Sequence, residues 1–161
     1  MLNAIRDMTQ RLAIGNQCLA SAGLAASGAN ALTANAVTLT IDGLFVAFAA
    51  EASIVLGTLP AFNNEGKSAS KATTVPVGFT VKYVLAANAA GNMALLCGAP
   101  MDNAGIDPAD WPPLPEGYAP FGGIKVVNAG AAAFTPGTTA FATPGVTATF
   151  LNFMTIPPRS V

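Results

Sequence analysis

Histidine is absent from this chain of 161 residues, and charge is scarce: Asp, Glu, Lys and Arg make up 9% of it, with a net charge of -1. An ordinary soluble domain carries about 25% charged residues. A near-neutral surface with few charges tends to associate, so the deficit points to a protein that works covered by copies of itself or by a partner. The missing histidine removes Ser-His-Asp and Cys-His catalysis and any Cys/His zinc site. Cysteine is nearly absent too. Cys18 and Cys97 make no disulfide framework, and a reduced compartment suits them as small apolar fillers.

Long apolar runs are also missing. The longest, Leu44 to Ala50, stops at Glu51, well short of the roughly 20 residues of a membrane-spanning helix. No membrane partner is expected. Near the N-terminus Arg6, Asp7 and Arg11 stand where a signal peptide would place its apolar stretch, so no Sec-type export is expected. The 7 basic residues are scattered singly, which leaves no electrostatic footprint for nucleic acid.

What is present divides at residue 33. Leu2, Ile5, Met8 and Leu12 recur at helical spacing and predict a short amphipathic helix ending near Gly15. Leu19 to Asn30 (LASAGLAASGAN) is small-residue-rich, with Gly23 and Gly28, and reads as an extended arm or linker. Residues 1–33 are thus expected to be a docking or oligomerisation arm, and 34–161 a β-sandwich domain.

From Asn35 onward Val, Thr and Phe are frequent and Gly, Pro and Asn punctuate every several residues, the texture of an antiparallel sandwich. Ala36 to Ile41 alternates apolar with threonine, and Asp42-Gly43 turns it into Leu44 to Ala50. A third strand is expected near Ser53 to Leu56, followed by a polar, exposed loop carrying Lys67 and Lys71. Val77 to Leu85 and Met93 to Cys97 are joined by ANAAGN. The stretch Asp107 to Pro120 (DPADWPPLPEGYAP) is too rich in proline for a sheet interior and reads as a crossing loop. Ile124 to Asn128, Ala132 to Phe134 and Val146 to Thr155 follow, with turns at Pro136-Gly137 and Pro144-Gly145. The expected fold is an all-β, antiparallel β-sandwich of jelly-roll or Greek-key type.

Chemistry is sparse. Asp102, Asp107, Asp110 and Glu116 cluster around the prolines; hard cations take several such oxygens, but a solvated acidic loop is the plainer reading and the spacing is not that of an EF-hand. Ser68, Ser70 and Lys71 lie in an exposed loop, which cannot desolvate a catalytic lysine. Phe121-Gly122-Gly123 lacks the following helix of a phosphate-binding loop and reads as a bend into a strand. Trp111 and Tyr118 could form a stacking platform for sugar or partner, or could cover an open end of the sandwich. No catalytic residue, cofactor or metal site is expected.

The ordered series ANAVTLTIDGLFVAFAA, VGFTVKYVLAANAAGNMALLCG, PPLPEGYAPFGGIKVVN and FTPGTTAFATPGVTATFLNFM, over roughly Ala36 to Pro157, resembles small tailed-bacteriophage capsid decoration (cement) or head-fibre-type virion proteins. The resemblance implies a subunit made in the bacterial cytoplasm that binds the outside of the shell and bridges major capsid protein subunits. Self-association is expected, a homotrimer first and a dimer second, because closed symmetry is the rule for homo-oligomers. Leu2, Ile5, Met8, Leu12, Leu19 and Leu24 of the arm, with Phe150 and Phe153 of the last strand, are the expected capsid or oligomer contacts. The two uncharged stretches, 12–41 and 126–158, are the expected contact surfaces. The competing expectation is a head-fibre base or carbohydrate-recognition module using Trp111, Tyr118 and the Phe62 to Thr74 loop.

Overall fold

Asp42 and Gly43 both adopt left-handed backbone, with φ of 50° and 79°. Two such residues in a two-residue connection make a type I′ turn, whose twist matches that of the strands it joins. They link β4 (Val37–Ile41) to β5 (Leu44–Phe48), with Ile41 opposite Leu44 and Val37 opposite Phe48. The computed structural model describes residues 15–103 and 111–153; the helix expected over 2–15 falls outside them apart from Gly15. On the far side of β4, β1 (Gln17–Cys18) completes a sheet of order β1-β4-β5. Val37, Leu39 and Ile41 are buried as the alternation predicts.

The segment after β1 departs from the expectation of a linker. Leu19 to Asn30 contains β2 (Ala25–Ser27), which pairs with β3 (Ala31–Ala34), and the boundary drawn at residue 33 falls inside β3. β3 pairs in turn with β6 (Glu51–Val55). Ala22, Leu24 and Leu32 are core residues. Small residues here serve close approach: a Cβ at Gly122 would collide with the Leu24 side chain. Periodicity fails in such a stretch because each strand is too short to show any.

The main sheet has the order β13-β12-β9-β10-β7-β8, with β11 beside β9. Its strands are β7 (Ala61–Phe62), β8 (Ser68–Ala69), β9 (Phe79–Asn88), β10 (Met93–Cys97), β11 (Met101–Asp102), β12 (Tyr118–Asn128) and β13 (Val146–Asn152). β10 pairs with β7 in parallel, so the sheet is mixed. The loop expected after the third strand folds into the β7–β8 pair, with Ala61 buried. Pro120, expected in a crossing loop, lies in β12, where the register shifts between Pro120 and Gly122. A bulge is where a sheet tolerates a residue without an amide hydrogen. Phe121-Gly122-Gly123 is therefore mid-strand, not a bend into one. Of the expected strand Ala132 to Phe134, a single bridge remains, between Val75 and Phe134.

β9 is central and buried along Thr80 to Ala87, which is why Val84 and Ala86 make its outer face apolar as well, with Thr80 and Lys82 the buried polar residues of that face. Val81, Tyr83, Leu85 and Ala87 face a core shared with Leu95, Ile124 and Val126, and with Cys18, Leu32, Leu39 and Ile54 of the two small sheets. The small sheets thus cover one face of the large one, giving an all-β, sandwich-like architecture. Val84, Ala86, Ala94 and Leu96 form a second cluster on the other face.

Candidate interaction surfaces

β13 is the long edge of the main sheet: β12 pairs with it from Gly122–Asn152 to Asn128–Val146, and among the described residues no strand pairs with its other side. Natural edges are commonly blunted by lysine, proline or brevity. This one has seven residues, VTATFLN, with neither charge nor proline. Val146, Ala148 and Phe150 pack inward against the core, and the Phe150 ring meets Phe141 edge-on at 5.5 Å. Thr147 and Thr149 are exposed, as are Ala129 and Ala131 to Ala133 nearby.

The residues expected to make contact thus separate. Leu24 is 6% exposed and belongs to the core. Its backbone N–H donates to the Asn152 side-chain oxygen at 2.9 Å, fixing the 15–30 segment across the end of β13. Leu19 is half-buried, its N–H donating to the Thr38 carbonyl at 2.8 Å. Phe150 supports β13 from within. Leu2, Ile5, Met8 and Leu12 lie outside the described residues. Apart from half-buried Leu19, every leucine, isoleucine and valine of 15–41 is buried in the protein's own core, while Ala25, Ala26, Ala29 and Ala36 are exposed, so the missing charge of that stretch reflects mainly burial within the monomer. In 126–153 the shortage of charge reaches the surface.

Phe153 points to the opposite face, where it meets the Trp111 indole at 5.2 Å, edge to face. Gly123 makes room: a Cβ there would lie 2.6 Å from the Phe153 ring and 2.8 Å from the indole. The Lys82 ammonium sits 5.2 Å from the Trp111 ring centroid, an attractive cation–π arrangement. The proline-rich segment thus lays Trp111 over the outer face of the main sheet rather than an open end. Trp111 nevertheless stays 38% exposed, and it lines a depression of about 160 Å³ with Asn64, Gly98, Ala99, Met101 and Pro112. Tyr118 is half-buried, edge-on to Phe62 at 5.5 Å, and belongs to the second cluster. Both aromatics share one face of the sheet.

Lys67 and Lys71 are exposed, Lys67 in a 2.8 Å ion pair with Glu65. Ser70 and Lys71 border an open groove of about 290 Å³ with Thr74, Thr135 and Thr138. Of the acidic cluster, Asp102 and Glu116 are exposed and Asp107 and Asp110 lie outside the described residues. Among the described residues no group of three or more Cys, Asp or Glu could hold a metal ion. Both cysteines are free and buried. Burial pushes the Cys18 and Cys97 thiols up, and hydrogen bonds, from Thr73 in the case of Cys97, offset this only in part.

One surface was missed from sequence. Leu44 and Phe45, at the start of β5, are 63% and 76% exposed. The signal was there: after the Asp42-Gly43 turn the chain runs LFVAFAA without the polar alternation of a strand that faces water on one side. No protein-family model matches this chain, and neither the curated proteins nor the solved structures hold a match.

Proposed function

We propose that this protein is a non-enzymatic virion subunit that binds the outer face of a bacteriophage capsid and stabilises it by bridging major capsid protein subunits. The observation that carries the reading is the uncharged edge of β13, flanked by the exposed alanines of 129–133 and left without a further strand among the described residues. Such an edge takes a strand or extended arm from a neighbour by main-chain hydrogen bonding. Binding the assembled shell and not its dissociated subunits stabilises the shell by mass action, and repetition over a lattice multiplies weak contacts.

The test is binding to emptied, expanded capsids, read as occupancy and as a rise in the temperature of shell disruption. Thr147→Glu places a charge on the exposed face of β13, opposite the uncharged Val127, and should lower occupancy while the free protein melts unchanged. Full occupancy by that variant would remove β13 from the interface. Deleting residues 1–14 tests the arm. The cut stops there because Cys18 already belongs to the core, and lower occupancy by the truncated, folded protein is the expected result.

A second reading, a glycan- or host-surface-recognition module, is favoured by the half-exposed Trp111 indole beside the Asn64 amide in its depression. Aromatic faces flanked by amides suit sugar rings. On that reading Trp111→Leu loses glycan-array or cell binding with shell attachment intact.

A further inference from the structure

β5 is the outer strand of the β1-β4-β5 sheet, and its edge has a parity that the turn fixes. A two-residue turn makes its flanking residues, Ile41 and Leu44, a hydrogen-bonded pair, and such pairs alternate along an antiparallel ladder. Leu39–Val46 and Val37–Phe48 are then the next hydrogen-bonded pairs in the observed register. The N–H and C=O groups of Phe45 and Ala47 therefore point away from β4. Among the described residues no further backbone bond takes them up. Between Asp42 and Glu51 the edge contains no charge and no proline, so none of the usual protections against strand addition is present.

We propose that β5 is a self-association edge, at which two copies of this chain pair antiparallel about a two-fold axis through Val46. In this register the outward groups of Phe45 meet those of the second copy's Ala47, and the reverse, closing four main-chain hydrogen bonds by symmetry. Side chains match as well. Phe45 faces alanine on one side of the sheet, and Leu44 faces Phe48 on the other, each a cross-strand pair of unlike size with no like charges opposed. Val46 meets its own symmetry mate in a non-hydrogen-bonded pair, the closer of the two kinds. Any extended strand can meet the outward main-chain groups after a register shift of one residue, so the side chains choose the partner, and a second copy supplies the matching pattern through the two-fold axis itself. The product is one continuous sheet that covers the two most exposed large apolar side chains described, Phe45 and Val46's neighbour Leu44. This inference does not rest on shell binding and is tested without capsids.

The experiment is sedimentation velocity of the full chain over about 1–200 µM, since an interface built on one strand edge sits at the small end of specific interfaces. A monomer–dimer equilibrium in that range is expected. Ala47→Pro removes an N–H that the fold itself does not use, and it should weaken the dimer by about tenfold or more while the melting temperature of the dilute monomer is held. Phe45→Lys places a charge at the same edge and should do likewise, which covers the case in which the proline variant fails to fold. Val46→Cys should form a covalent dimer under mild oxidation, and Thr58→Cys, at an exposed site away from the edge, should not. A monomer throughout the concentration range, a dimer indifferent to both edge variants, or no selective cross-linking at position 46 would each overturn the proposal. A monomeric protein whose Ala47→Pro variant lost only shell binding would assign the edge to the capsid and overturn it too.

Discussion

Replacing Asn128 with alanine removes three hydrogen bonds that tie the 129–146 excursion and the Val75 segment to the end of β12. Its side-chain amide donates to the carbonyls of Val75 at 3.0 Å and Ala132 at 2.9 Å, and its side-chain oxygen accepts from the Gly130 N–H at 3.0 Å. Asn128 is fully buried, and a buried polar group left without its partner costs more than the bond itself contributed. Asn128→Ala is expected to lower the unfolding free energy in urea by about 2–3 kcal/mol; the exposed Asn64→Ala should change it by less than about 0.5 kcal/mol. Tyr83 plays a similar part on β9, its hydroxyl donating to the Thr73 carbonyl at 2.6 Å. Neither role could be read from sequence, because an asparagine at a strand end or a tyrosine within a strand has no pattern that distinguishes a buried hub from a wet surface.

At the scale of elements, the β4–β5 hairpin is the piece most fully specified by local sequence. Alternation set the buried face of β4, and Asp42-Gly43 set the turn type and through it the register. A Cβ at Gly43 would meet no atom within 4 Å, so the cost of substitution there is conformational alone. Gly43→Val, β-branched at φ 79°, should destabilise by about 1–2 kcal/mol, and Gly43→Asn by roughly half that, as read by thermal unfolding. β13 was legible as a strand because its residues alternate; the described strand runs Val146–Asn152, and the expected end at Thr155 lies outside the described residues. That it is an edge was not legible, since edge or centre depends on which strands pair, and pairing is non-local.

For the molecule as a whole, the buried ionisable groups set the response to alkali. Tyr83 lies opposite Cys97 across β9 and β10. Burial raises the Tyr83 phenol well above its usual value, and the neighbouring Cys97 adds to the shift; burial likewise raises both thiols. In the unfolded chain a thiol ionises near about pH 8.5 and a phenol near about pH 10. The folded state keeps its protons longer, so the unfolded state binds fewer of them and stability falls as pH rises. The stabilisation is complete below about pH 8 and is lost progressively above it, by up to about 1.4 kcal/mol per pH unit for each group in its window. Urea midpoints measured from pH 7 to 10.5 should decline across that range, and thiol alkylation at pH 8 should proceed only on unfolding. A flat profile would mean that the thiols and phenol reach water in the native state.

Sequence alone determined the all-β class, the I′ hairpin, the Met93 to Cys97 strand and the exposure of the Lys67/Lys71 loop. Each follows from short-range rules of alternation, turn stereochemistry and charge. Tertiary structure alone decided what the uncharged stretches do. Composition cannot tell a segment that lacks charge because it is core from one that lacks charge because it awaits a partner, as both simply avoid the cost of burying ions. Leu24 and Leu32 fill the interior, so the large apolar side chains of the first stretch are consumed in folding. Thr147, Thr149 and the alanines of 129–133 remain outside. The shortage of charge with which the chain announces itself is therefore of two kinds, and strand pairing across distant residues separates them.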